Sequence, residues 1–130
     1  MPIKGSDLPR LKSRQEFLYV ARGGLKCAAP GLVLQMRQSV KFKKKDRAVR
    51  HSLVHSPRIG YTVSRKVGNA VNRNRVKRRL RAVAHEVMPE HACSSADFVI
   101  IGRFATRTRP FRLLVQDLKK ALQKLDCYKD

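Results

Sequence analysis

Arginine and lysine are the residues of this chain whose type and spacing point to chemistry, and that chemistry is phosphate recognition. Residues Arg65 to Arg81 read RKVGNAVNRNRVKRRLR; eight of the seventeen are Arg or Lys and none is acidic. No Asp or Glu stands between Asp46 and Glu86. Guanidinium forks match phosphate oxygens bidentately, and a helix N-terminus adds backbone N–H donors. Groupings for protein-borne catalysis are not evident. His51, His55, His85 and His91 form no HExxH, no carboxylate pair is spaced for acid–base or metal work, and Ser64 has no evident His/Asp partner. Cys27, Cys93 and Cys127 are odd in number, widely spaced and without a CxxC, which reads as reduced thiols and against a disulfide framework or a zinc site. A polyanion partner is expected, and an active site of protein side chains is not.

The balance of the whole chain agrees. A net charge of +21 and a pI of about 11.1 on 130 residues exceed what solubility requires, and like-charge repulsion on that scale opposes a compact state. The apolar share of 42% still supports one folded domain over residues 1–130. A polyanion is the first partner class expected and an anionic membrane surface the second. No apolar run approaches the roughly 20 residues that span a bilayer, and MPIKGSDLPRLKSRQ has no secretory core, so a cytoplasmic location is expected.

The elements that position the basic stretch can be read in order. Ser13 followed by Glu16 is a capping-box pattern, predicting a helix from Arg14 that carries Phe17, Leu18, Val20 and Ala21 and stops at Gly23-Gly24. A short strand over Leu25 to Ala28 precedes LVLQMR, where Leu32, Leu34 and Met36 alternate with Val33, Gln35 and Arg37. Residues 38–57, including KFKKKDRAVR, show no period and read as a flexible basic loop, either a tolerated surface loop or an auxiliary phosphate contact. In RIGYTVS, Ile59, Tyr61 and Val63 alternate with Gly60, Thr62 and Ser64. Asn69 is a fitting N-cap and Pro89 a stop, bracketing a helix whose inner face is Val76, Leu80, Val83, Ala84 and Val87. FVIIG after Asp97 reads as a strand buried on both faces. Thr108 can cap a last helix with Pro110 in its first turn and Phe111, Leu114, Leu118, Ala121, Leu122 and Leu125 inside. The order is α-β-β-α-β-α with one further early strand, an α+β or α/β sandwich around one small sheet.

On the wheel of the basic helix, Asn74, Arg75, Lys77, Arg78, Arg79 and Arg81 occupy the outward arc, with Arg73 at its border with the core. Cations in the first turns oppose the macrodipole, and the pairs Arg75/Arg79, Lys77/Arg81 and Arg73/Lys77 repel at i,i+4. A bound anion relieves both effects, so this face reads as polyphosphate-binding. No helix-turn-helix pairing precedes it, and a sheet beside it suits RNA or single strands better than a DNA groove. Phe17, taken alone, reads as core.

The block Arg65-Lys66, Val67, Gly68-Asn69-Ala70-Val71, Asn72, Arg73-Asn74-Arg75, Val76, Lys77-Arg78 closely resembles the protein component of bacterial ribonuclease P. The likeness extends through RLKSRQEF, RIGYTVS and DFVIIGR. It implies three helices around a four-stranded mixed sheet in the order α-β-β-β-α-β-α, with a left-handed β-α-β crossover of the kind found in a ribosomal-protein domain. It implies that a partner RNA with Mg²⁺ cleaves precursor tRNA, while the protein docks on that RNA and holds the single-stranded 5′ leader. Neither a membrane nor DNA is then an expected partner. Arg65, Lys66, Asn69, Arg73, Asn74, Arg75, Lys77, Arg78, Arg79 and Arg81 become the RNA-binding set. The leader cleft becomes Phe17, Val33, Gln35, Thr62, Ser64, Lys66 and Arg73. The family's second helix aromatic is Ala21 here and its strand tyrosine is Gln35, which shifts weight from stacking to Lys66, Arg73 and hydrogen bonds. A ribosomal or RNA-chaperone type of binding protein is the alternative, and a DNA-binding regulator a distant third.

Overall fold

Alternation in β2 (Leu32–Gln38) shows how the sheet divides the molecule: Leu32, Leu34 and Met36 are buried, while Val33, Gln35 and Arg37 are half-buried on the other face. The computed structural model describes residues 8–38, 57–93 and 96–129. Its other elements are α1 (Arg14–Gly23), β1 (Leu25–Ala28), β3 (Arg58–Thr62), α2 (Ala70–His91), β4 (Ala96–Gly102) and α3 (Phe111–Lys124), with 3-10 turns at Arg65–Val67 and Phe104–Arg107. The expected basic loop at 38–57 lies outside the described residues apart from its two ends.

The strands run in the order β1-β2-β4-β3. β1 and β2 are antiparallel, as are β2 and β4, whereas β3 and β4 are parallel neighbours joined through α2. This is the four-stranded mixed sheet with three helices expected from the sequence, and the early strand is present. The segment before α1 extends the sheet at its β3 edge: Leu11 N–H donates to the Ile59 carbonyl at 3.1 Å and Ile59 N–H to the Pro9 carbonyl at 3.0 Å.

α2 and α3 cover one face. Val76, Leu80, Val83, Ala84, Val87 and Met88 of α2 pack with Leu114, Leu118, Ala121 and Leu122 of α3 over Leu32, Leu34, Ile59, Phe98 and Ile100. Burying a Val, Leu or Met side chain contributes about 1.5–3 kcal/mol. The macrodipole and i,i+4 repulsions of α2 cost about 0.2–1 kcal/mol each. Burial therefore decides that the helix forms despite its charge. α1 covers part of the other face through a smaller cluster of Leu11, Phe17, Val20, Val99 and Ile101.

Four sequence expectations need correction. α2 does not stop at Met88; it carries Pro89 inside its last turn and ends at His91. A proline there forfeits one N–H bond. The end is instead fixed by tertiary contacts, with Cys93 N–H donating to the Cys127 carbonyl at 3.0 Å and His91 stacked on Tyr128. Thr108 does not cap α3, because the 3-10 turn Phe104–Arg107 intervenes and Pro110 takes the N-cap. Phe111 is 41% exposed, while Asp117, not expected on the inner face, is buried there. Finally, Cys93 and Cys127 are joined as a disulfide, their Cα atoms 5.0 Å apart, while Cys27 is free. Their separation of 34 residues gave no local sign of this. The pairing withdraws the cysteine argument for a reducing compartment.

Candidate nucleic-acid interface

Strand register lays out the sheet face beneath α1 as three rows. The first runs Ala28, Val33, Ile101, Thr62; the second Lys26, Gln35, Val99, Gly60; the third Arg37, Asp97, Arg58. Opposed residues share a face, so Val33, Gln35 and Thr62 are brought together as expected from alternation. α1 closes the third row. Arg37 Nη1 donates to the Tyr19 carbonyl at 2.8 Å, and its guanidinium lies 3.6 Å from the Tyr19 ring centroid. Arg58 forks onto Asp97 at 2.8 and 2.7 Å, a bond that raises the Arg58 pKa. These two arginines are committed to holding α1 and the sheet edge.

Phe17 sits over the second row, half-buried, with its ring against Gly60. Among the described residues the first row, with Val33 and Ile101 half-buried and Thr62 exposed, is the least covered, toward the end of the sheet where β3 continues into the exposed Ser64, Arg65 and Lys66. The chain then turns at Gly68, whose φ of 153° is a conformation that L side chains rarely adopt. Asn69 Oδ1 accepts the Asn72 N–H at 2.9 Å, so this residue is committed to capping α2. Gly102 at the end of β4 lies against Val63 and Val76, which brings the start of α2 to the same end of the sheet.

The cations of α2 then diverge. Asn74, Arg75 and Arg78 are exposed, and Lys77 is half-buried. Arg73 is half-buried, and its Nε is enclosed without a partner among the described residues. Arg79 departs from the outward placement expected of it: Nε donates to the Thr106 carbonyl at 2.9 Å and Nη2 to the Arg109 carbonyl. Arg81 turns to the opposite flank and lines a cavity of about 280 Å³ with Leu8, Arg10, Tyr61 and His85. Burial pushes the Tyr61 hydroxyl up to about 12, with Arg10 and Arg81 pulling it back. Burial, then the same two arginines, lowers the His85 pKa.

The chain matches the ribonuclease P family model over residues 7–126. It belongs to the ribonuclease P protein family. It is 46% identical over 118 residues to the ribonuclease P protein component of Paramagnetospirillum magneticum, covering 91% of this chain and 83% of that protein. The Gluconacetobacter diazotrophicus protein component is likewise 46% identical over 115 residues, 88% of this chain and 89% of its own length. In fold the chain resembles a mutant RNase P protein of Staphylococcus aureus, with a TM-score of 0.68 at 23% identity over 91% of this chain and 88% of that one. The Thermotoga maritima RNase P protein gives 0.63 at 22% identity, over 89% and 94%. No helix among the described residues is long and apolar enough to cross a membrane.

Two parts of this surface escaped the sequence reading. Lys26 joins the second row only once β1 is paired with Gln35. Arg103 to Arg112, RFATRTRPFR, holds four Arg and two Phe in ten residues, a composition that marks the segment as a basic, aromatic patch, whereas Thr108 and Pro110 alone read as a helix start.

Proposed function

We propose that this protein is the protein subunit of ribonuclease P, binding the catalytic RNA and the single-stranded 5′ leader of precursor tRNA and so promoting removal of the leader. The observation that carries this reading is the continuity of the partly exposed sheet row, Val33, Ile101 and Thr62, with the cations that leave the same end of the sheet. Phe17 supplies one ring for stacking, Thr62, Ser64 and Gln35 supply hydrogen bonds, and Lys66 and Arg73 meet phosphates. The enclosed Arg73 Nε, unpartnered among the described residues, is a donor that a phosphate oxygen would satisfy. Exposed Arg65, Arg75 and Arg78, with Lys77 beside them, dock on the catalytic RNA, and Asn69 serves by fixing the start of the helix that carries them.

The protein's part is to bind and orient. Its buried carboxylates among the described residues, Asp97 and Asp117, are each held by an arginine fork and do not offer an open ligand set. Mg²⁺, which the family resemblance implies, would be held by the partner RNA and would supply charge stabilisation at the scissile phosphate. A cytoplasmic location follows from this role. The test is cleavage of labelled precursor tRNA by the catalytic RNA at low Mg²⁺, with and without the protein. Enhancement is expected. RNA binding without enhancement would favour a general RNA-binding or chaperone role.

A further inference from the structure

The 3-10 turn Phe104–Arg107 is held from several sides yet keeps an aromatic ring in solvent. Thr106 is fully buried; its Oγ1 donates to the Gly31 carbonyl at 2.5 Å and accepts the Arg103 N–H at 2.8 Å. Arg103 Nη1 donates to the Ala29 carbonyl at 2.8 Å. From α2, Arg79 donates to the carbonyls of Thr106 and Arg109. Arg109 in turn forks onto Asp117 at 2.7 and 3.1 Å. Within this frame Phe104 is 67% exposed. The guanidinium of Arg107 lies 4.7 Å from its ring centroid.

The surroundings are cationic. No carboxylate stands between Asp97 and Asp117 in the sequence, and Asp117 is already neutralised by Arg109. The turn leaves β4 at the end of the sheet where Ser64, Arg65 and Lys66 emerge. Arg75 lies one turn before Arg79 on the same stripe of α2. Phe111, on the same segment, is also partly exposed.

We infer that Phe104, backed by Arg107, is a stacking platform for one nucleobase of single-stranded RNA. This rests on the RNA-binding reading above and extends it to residues outside the cleft. A base offers a flat π-face for the ring and a phosphate on either side for the arginines, and the arginine behind the ring adds a cation–π contact. The bases of a duplex are already stacked on one another and cannot present that face. An acidic protein would meet the cations but leave the ring unused. The pinned turn pre-orders the ring, so little conformational freedom is lost on binding. The platform supplies stacking that Ala21 and Gln35 do not.

The experiment compares the full-length protein with Phe104→Ala and Phe104→Trp. Three RNAs are titrated: the catalytic RNA alone, and precursor tRNA with a long or a one-nucleotide leader presented to the assembled particle. Phe104→Ala is expected to weaken at least one of these by about tenfold, with Phe104→Trp within about twofold of wild type. Neither variant should change the salt slope, because the ring displaces no counterions. A loss confined to the long-leader precursor makes the leader the source of the base. A loss on the catalytic RNA alone makes that RNA the source. Wild-type affinity of Phe104→Ala for all three RNAs would overturn the platform, as would equal losses in both variants or a lowered Tm in Phe104→Ala. A wild-type protein that bound none of the RNAs in a salt-dependent way would instead overturn the underlying reading.

Discussion

The Phe17 ring rests on Gly60: a Cβ at that glycine would come within 2.5 Å of Cε1 and Cζ. The ring is therefore part of the small cluster under α1 and, being only half-buried, also a wall of the partly exposed sheet face. One side of the ring belongs to the core cluster, and the other is the side that the proposed leader contact would use.

Gly60→Ala should displace Phe17 from that position. Overpacking of this kind costs about 1–3 kcal/mol, so the melting temperature should fall. Affinity for precursor tRNA should fall more than affinity for mature tRNA, with Phe17→Ala giving the same preference. Equal losses on both substrates would take Phe17 out of the leader site.

Arg75 and Arg79 are one helical turn apart and should behave differently. Arg75 is exposed, so Arg75→Ala should leave stability within about 0.5 kcal/mol and reduce the salt slope of RNA binding by about one phosphate. Arg79→Ala removes the donor from the Thr106 and Arg109 carbonyls and should cost about 1–3 kcal/mol. Urea melts and salt titrations on both variants separate docking from bracing; matching profiles would contradict the division.

That division marks where the sequence stopped being legible. Periodicity located α2 and its buried stripe because Val76, Leu80, Val83 and Val87 answer to local geometry alone. It put Arg79 on the outward arc for the same reason, and the turn at Phe104–Arg107 that captures it is brought there by β4, nearly thirty residues later in the chain. That Val33, Gln35 and Thr62 share one sheet face was legible because alternation in β2 and β3 survives pairing, but Lys26 joined that face only through register. Asp117 and the Cys93–Cys127 pair depend wholly on which segments meet, and no local pattern marks them.

Acid should loosen the start of α1. The Glu16 carboxylate accepts the backbone N–H groups of Ser13 at 2.9 Å and Lys12 at 2.8 Å, and these bonds, the Ser13 one foremost, lower its pKa from 4.5. A depressed carboxylate contributes stability above its ordinary value, and that contribution is lost as pH falls through the folded value. Stability should thus decline below about 4.5 by a component that Glu16→Ala removes. Thermal melts of both proteins across that range check it; parallel curves would deny the capping box a role.

His85 provides a probe of the cavity on the far flank of α2. Arg81 and His85 of α2, Tyr61 of β3 and Arg10 of the segment before α1 line it. Burial first, then Arg10 and Arg81, lowers the His85 pKa below 6.5. The neutral imidazole is favoured in the fold, so its contribution to stability is present above 6.5 and is lost as pH falls through the lowered value. An RNA phosphate entering the cavity would offset the two arginines and favour the imidazolium, moving the pKa upward. A proton NMR titration of the His85 ring should give a midpoint below 6.5 in the free protein and a higher one with RNA bound. A midpoint that RNA leaves unmoved would exclude this flank from the interface, and Arg81 with it.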